Sequence, residues 1–196
     1  MNTDQVSAAI LAGGYSSRMG RDKALLECDG HTLLDIQVSR LKAIGVGEIL
    51  LSGTPHQIPG ARNVADLYPH RGPLSGVHAC MRRAAFPALL VVSVDVPLIP
   101  ADTLRQLIHD HTGGVTVLEH AGRLEPLMAV YSCDLVEEVE RILNSDRHAI
   151  SRLFDIAPVR RSLYRDDERL LSGCNTPEEY ARVLAYHSFF SMAARD

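Results

Sequence analysis

The chain is short of lysine, of paired cysteines and of long apolar runs, and each shortage excludes something. Its 20 basic residues divide into 18 arginines and two lysines, Lys23 and Lys42, against 24 acidic residues, for a net charge of −4. A mildly acidic balance argues against a protein that grips nucleic acid through the phosphate backbone, which takes clustered positive charge. Small anionic ligands stay open, and each lysine becomes worth locating. Cys28, Cys80, Cys133 and Cys174 are scattered, with no C-x-x-C pair and no zinc-site spacing, so they read as reduced thiols used as small apolar residues. His109 and His111 form an H-x-H pair with no third ligand nearby and read as solvated loop residues. No apolar run approaches the roughly 20 residues of a membrane-spanning helix. The first five residues are polar without a basic region, and residues 6–12 run into glycines instead of a cleavage site. A cytoplasmic protein with neither membrane nor nucleic acid among its partners is therefore expected.

What is present suits one globular domain over residues 1–196, at 46% hydrophobic and 22% charged. Residues 6–11 read as a buried strand delivered into Gly13-Gly14. Leu34, Val38 and Leu41 repeat at helical spacing behind Thr32 and Asp35, a capping pattern, and Gly45 stops that helix. Residues 48–52 then give a second strand and complete a βαβ unit. The alternation continues with a short strand near 63–65, a helix over 74–83, an apolar strand over 89–94 and a helix over 102–108. Unbroken apolar character in 89–94 points to a strand covered on both faces, as in a parallel sheet. Residues 115–119 and 127–132, joined through Ala121-Gly122, read as an antiparallel hairpin or edge. A helix over 134–143, a helical turn near 150–154 and a final helix opened by Thr176-Pro177-Glu178-Glu179 complete the pattern. The fold class is α/β, a Rossmann-like three-layer sandwich with a mostly parallel central sheet.

Three segments carry chemistry. In Leu11-Ala12-Gly13-Gly14-Tyr15-Ser16-Ser17-Arg18-Met19-Gly20-Arg21-Asp22-Lys23, glycines directly after a buried strand let backbone N–H groups approach a ligand. The spacing is neither G-x-x-x-x-G-K-[ST] nor G-x-G-x-x-G. Arg18, Arg21 and Lys23 add forked and point-like cations within six positions, and together these features favour phosphate binding over a plain turn. Asp95 ends the apolar strand in Val91-Val92-Ser93-Val94-Asp95-Val96-Pro97. A carboxylate there needs a partner, either Mg²⁺ or the N–H groups and cations of a helix cap or salt bridge. In Asp66-Leu67-Tyr68-Pro69-His70-Arg71-Gly72-Pro73-Leu74-Ser75-Gly76, a Gly-Pro turn opens a helix, and Asp66 stands where it would accept from a base or a ribose.

These segments, in this order, resemble the molybdenum cofactor guanylyltransferase family, a branch of the nucleotidyltransferases with a Rossmann-like fold. The matching stretches are LAGGYSSRMGRDKALL, ADLYPHRGPLSG, VVSVDVPLIP, EPLMAVY and CNTPEEY, spread from Leu11 to Tyr180. The resemblance implies Mg²⁺-dependent transfer of GMP from GTP to the phosphate of molybdopterin, with or without molybdenum, releasing pyrophosphate. Carried over residue by residue, Leu11, Ala12, Gly13 and Gly14 contact the nucleotide through backbone, and Arg18 and Lys23 meet the phosphates. Asp66 touches the nucleoside, and Asp95 holds Mg²⁺. Molybdoenzyme maturation proteins are implied as further partners. The pair Gly13-Gly14 and GPLSG look like the guanylyl branch, whereas cytidylyltransferases show L-A-A-G in the first loop. Two positions depart from the family. Ser52 stands where it often has Asn, so no nucleotide contact is carried there, and Gly173 stands where it often has another Asn. Asn175 remains, either on the pterin side or simply ending a strand before Thr176. Arg147, Arg160 and Arg161 either meet the acceptor phosphate or form a solvated face. The competing readings are a cytidylyl- or sugar-phosphate nucleotidyltransferase and a non-catalytic nucleotide-binding cofactor carrier.

Overall fold

The computed structural model describes residues 1–13 and 22–193, with side chains through residue 190. Its strands are β1 (Ser7–Leu11), β2 (Glu27–Cys28), β3 (His31–Thr32), β4 (Glu48–Ser52), β5 (Arg62–Val64), β6 (Ala88–Ser93), β7 (Val115–His120), β8 (Arg123–Ser132) and β9 (Val159–Leu163). The helices are α1 (Leu33–Ile44), α2 (Pro73–Arg83), α3 (Ala101–Asp110), α4 (Val136–Leu143) and α5 (Pro177–Ala193). Seven strands form one sheet in the order β5-β4-β1-β6-β8-β7-β9, and β2 and β3 make a small separate ribbon. Within the seven-stranded sheet all pairs are parallel except β6 with β8 and β8 with β7, and the β2–β3 ribbon is antiparallel. The hairpin expected from residues 115–132 is present, but β8 inserts beside β6 and lies inside the sheet. The outer edge belongs to β9, which the sequence pattern does not reveal.

Side chains along each central strand alternate between two apolar layers. Ala8 and Ile10 of β1, with Leu90 and Val92 of β6, pack with α1 and α3. Ala9 and Leu11, with Leu89 and Val91, pack with α2 and α4. Coverage on both faces explains why these strands read as continuous apolar runs. Thr32 caps α1 by accepting from the Asp35 N–H at 3.1 Å, and its own hydroxyl donates to the Asp35 carboxylate at 2.6 Å. Thr176 caps α5 in the same way, accepting from the Glu179 N–H at 3.2 Å.

The expected H-x-H loop pair is not one. His109 lies on α3, and His111, just past its end, is buried between Thr116 and Ser132 at 3.1 and 3.2 Å. A ring with both nitrogens satisfied by hydroxyls fits a neutral core side chain, and burial holds its pKa below the ordinary histidine value. All four cysteines are free thiols. Among the described residues, no helix is long and apolar enough to cross a membrane.

Connectivity places the site. The chain leaves β1 for β4 and β5 on one side, then returns to β6 on the other, so the strand order reverses at β1. In such sheets the crevice outside the carboxyl ends of the strands at the reversal receives ligands. Leu11, Ser52 and Ser93 form one row across that edge, paired in register from β4 through β1 to β6.

Candidate active site

Beyond this row opens a cavity of about 590 Å³, walled by Leu11, Gly13, Ser52, Asp66, Gly76 and Ser93 among others. That volume falls within the usual range for a small-molecule site, about 300–1,000 Å³. Two close backbone approaches shape it. A Cβ on Gly13 would stand 2.7 Å from the Gly53 Cα, and one on Gly76 would stand 2.5 Å from the Ser52 Oγ. Glycine is therefore required for the first loop to lie against the end of β4 and for α2 to lie against β1 and β4. This gives the last glycine of GPLSG a packing reason that the sequence alone did not.

At the β1 end, the Ala12 N–H donates to the Ser52 carbonyl at 2.9 Å and the Leu11 carbonyl accepts from the Val94 N–H at 3.1 Å. Leu11 and Ala12 thus brace the strand ends, and Gly13 brings backbone to the cavity wall. Gly14, Arg18 and Arg21 lie outside the described residues. Asp22 follows them, and its carboxylate caps the short turn Lys23–Leu25 by accepting from the Ala24 N–H at 2.9 Å. The other Asp22 oxygen lies 2.9 Å from the His56 ring, so Lys23 sits on an anchored turn.

Lys23 Nζ donates to Asp95 Oδ2 at 3.2 Å and to Asn175 Oδ1 at 2.7 Å, across 72 and 152 positions of sequence. An ammonium has three donors, so among the described residues two are used and the third is open to a phosphate. Asp95 also accepts from the Ser93 hydroxyl through Oδ1, and Ser93 lines the cavity, which joins this charged corner to it. The lysine and aspartate side chains are each about one-fifth exposed, 20% and 18%. Asn175 is set by the start of α5, its N–H donating to the Glu179 carboxylate at 2.8 Å. Residues 172–175 are not in a strand, so Asn175 does not end one, and the residue joins the corner through Lys23. Neighbouring Cys174 donates its N–H to the Asp95 carbonyl at 2.9 Å, while burial, and after it the nearby Asp95 charge, push its thiol up to about 12. A thiol so raised is no nucleophile near neutral pH.

On the opposite wall Asp66 is exposed, and its Oδ1 accepts from the Ser52 hydroxyl at 2.7 Å. The asparagine-to-serine departure at position 52 therefore orients the carboxylate that faces the cavity. The segment bearing Asp66 is tied to α4 by Tyr68, whose hydroxyl donates to Glu140 at 2.6 Å. Arg160 and Arg161 lie on the edge strand β9, three strands from β6, and Arg147 is exposed after α4. The structure brings none of the three to Lys23 and Asp95.

The cation of the resemblance can be weighed against this geometry. Mg²⁺ commonly binds through one or two carboxylates plus substrate phosphates and keeps several waters. Among the described residues no cluster of three metal-ligating side chains occurs. Asp95, a single strand-end carboxylate beside a lysine with a spare donor, fits an ion shared with bound phosphates.

Comparison with known proteins agrees with this layout. Residues 8–162 match the family model described as the MobA-like NTP transferase domain. A protein of Pelotomaculum thermopropionicum described as a probable molybdenum cofactor guanylyltransferase is 35% identical, over 94% of this chain and 95% of its own. The crystal structure of molybdopterin-guanine dinucleotide biosynthesis protein A from Archaeoglobus fulgidus superimposes with a TM-score of 0.78 at 20% identity, covering 93% of this chain and 98% of that one. A Mycobacterium tuberculosis protein solved as a manganese complex gives 0.72 at 20% identity, covering 92% and 98%. The chain belongs to the MobA-like NTP transferase family.

Proposed function

We propose that this chain, working as one domain in the cytoplasm, transfers GMP from GTP to the phosphate of molybdopterin or its molybdenum form and releases pyrophosphate. The observation that carries the reading is the Lys23, Asp95 and Asn175 corner at the carboxyl edge of the sheet, joined through Ser93 to a cavity with Asp66 on its far wall. The names of the relatives supply the substrate pair.

Phosphoryl-type transfer needs positioning and charge neutralisation more than a covalent nucleophile. Lys23, held by Asp95 and Asn175, directs its spare N–H at the triphosphate and stabilises charge that grows on the departing pyrophosphate. Arg18 adds a forked cation to the same phosphates. The backbone from Leu11 to Gly14 lies along the nucleotide, with N–H groups offered at Gly13 and Gly14, since the Ala12 N–H is taken by the Ser52 carbonyl. Asp66, its Oδ1 engaged by Ser52, offers Oδ2 to donors on the guanine edge or the ribose. The acceptor phosphate is already ionised and needs no strong general base. Mg²⁺, held by Asp95 together with the phosphates, would supply further charge neutralisation; the manganese complex of the M. tuberculosis neighbour supports a divalent ion in this fold. Hand-over of the product to molybdoenzyme maturation proteins completes the reading.

The test is to incubate the protein with Mg²⁺, each nucleoside triphosphate and molybdopterin, following pyrophosphate. Release is expected only with GTP and the pterin together. Release with CTP or with a sugar phosphate would replace the reading by another nucleotidyltransferase, and GTP binding without release under any combination would make the chain a carrier.

A further inference from the structure

We propose that Gln37 and Arg40, on α1 and outside the substrate cavity, are positioning residues that hold the Asp95 turn in place for catalysis. This rests on Asp95 acting in the transfer step. Gln37 is fully buried on the face of α1 that otherwise presents Leu33, Leu34, Val38 and Leu41 to the core. Stability alone favours an apolar side chain there, since a buried amide must have every donor and acceptor met. They are met on the catalytic turn. Nε2 donates to the Ser93 carbonyl at 3.0 Å and to the Val96 carbonyl at 2.9 Å, one on each side of Asp95. Oε1 accepts from Arg40 Nη1 at 2.8 Å, and the other Arg40 nitrogen donates to the Pro97 carbonyl.

Together with the Cys174 N–H on the Asp95 carbonyl, this engages the backbone oxygens of Ser93, Asp95, Val96 and Pro97, each by a donor from elsewhere in the fold. The segment has little freedom left. The Ser93 hydroxyl that grips Asp95 Oδ1 is itself fixed, because its own carbonyl is held by Gln37. Arg40 is a second sign of cost without a stability return. Its guanidinium donates to two neutral oxygens, and burial pulls its pKa down to about 10. A satisfied polar network of this kind specifies one geometry in preference to merely filling space. Reaction rates are sensitive to such geometry, since displacement by about 1 Å can cost on the order of 100-fold.

The experiment compares wild type with Gln37→Met, which keeps the length and removes the donors, and with Arg40→Met, which keeps the stem. Backbone amide exchange at residues 94–96 is measured on the protein without nucleotide or metal, followed by kcat and KM for GTP. The expected result is exchange at least 10-fold faster at 94–96 in Gln37→Met with β1 amides unchanged, kcat lowered by 10- to 100-fold and KM within about 2-fold. Arg40→Met should move both readouts in the same direction by 3- to 10-fold, and it decides the matter if Gln37→Met does not fold. Unchanged exchange at 94–96 overturns the proposal. So does faster exchange with unchanged kcat while Asp95→Asn abolishes turnover. If Asp95→Asn itself leaves turnover intact, the role given to Asp95 is what fails, and the exchange data still decide whether α1 holds the turn.

Discussion

Lys23 and Asp95 are legible as separate residues in the sequence, one from its place after a glycine loop and the other from its place after an apolar strand. Their meeting is not legible, because it depends on β1 and β6 being neighbours in register. Asn175 is harder still: it reaches Lys23 across 152 positions, and its motif speaks only of a helix start. Replacing Lys23 by Met should lower kcat by about 10²–10³-fold, the usual size for losing one preorganised donor to a transition-state oxyanion. Lys23→Arg should recover little, since a planar fork does not reproduce a point donor shared between Asp95 and Asn175. Steady-state kinetics on the two variants check both. The thiols give an independent test. Burial lifts Cys80, Cys133 and Cys174 to about 12, so at pH 8 they should be labelled by a small alkylating reagent many times more slowly in the folded chain than in urea. Mass spectrometry of the labelled peptides reports the ratio.

At the scale of elements, the helices and strands that carry strong periodicity and caps fall where the sequence puts them, from the Thr32 cap of α1 to the Thr176 cap of α5. The misses have physical causes. β9 is a short edge strand with exposed arginines in place of apolar alternation, and the β2–β3 ribbon spans two residues on each side. His111 looks like loop because its sequence neighbours are polar, and the hydroxyls that allow it to be buried come from Thr116 on β7 and Ser132 on β8, which only the fold brings to it. Gln37 escapes notice because a helix pattern is read from its apolar positions. The close packing of α2 on the sheet yields a sharp prediction. A Cβ at position 76 would meet Ser52, so Gly76→Ala should destabilise by about 1–3 kcal/mol, as overpacking of a tight contact does. It should also weaken GTP binding, because Ser52 is the residue that orients Asp66. Urea unfolding and a GTP titration on one variant report both effects.

For the whole molecule, the two apolar layers are ordinary in character, and the less ordinary groups are the histidines placed in them. Burial depresses the pKa of both His78 and His111 below the value near 6.5 expected in the unfolded chain. Between that value and the lower folded values the unfolded state binds more protons, so stability rises with pH through the window and is lost as pH falls through it. The midpoint of thermal unfolding should therefore drop by several degrees from pH 7.5 to 5.5, and His111→Gln should flatten the dependence. An unchanged slope in calorimetry would remove that histidine from the account. The net charge of −4, which first argued only against nucleic acid, conceals the opposite local arrangement, in which one of two lysines stands at the site where a triphosphate is proposed to lie. The central claim is that the corner around Asp95 performs the transfer. It is tested most directly by Asp95→Asn, with dinucleotide product quantified from GTP, molybdopterin and Mg²⁺, and GTP affinity measured in chelator. Product formation falling by at least about 10²-fold with GTP affinity retained is the predicted result, and undiminished product formation would contradict it.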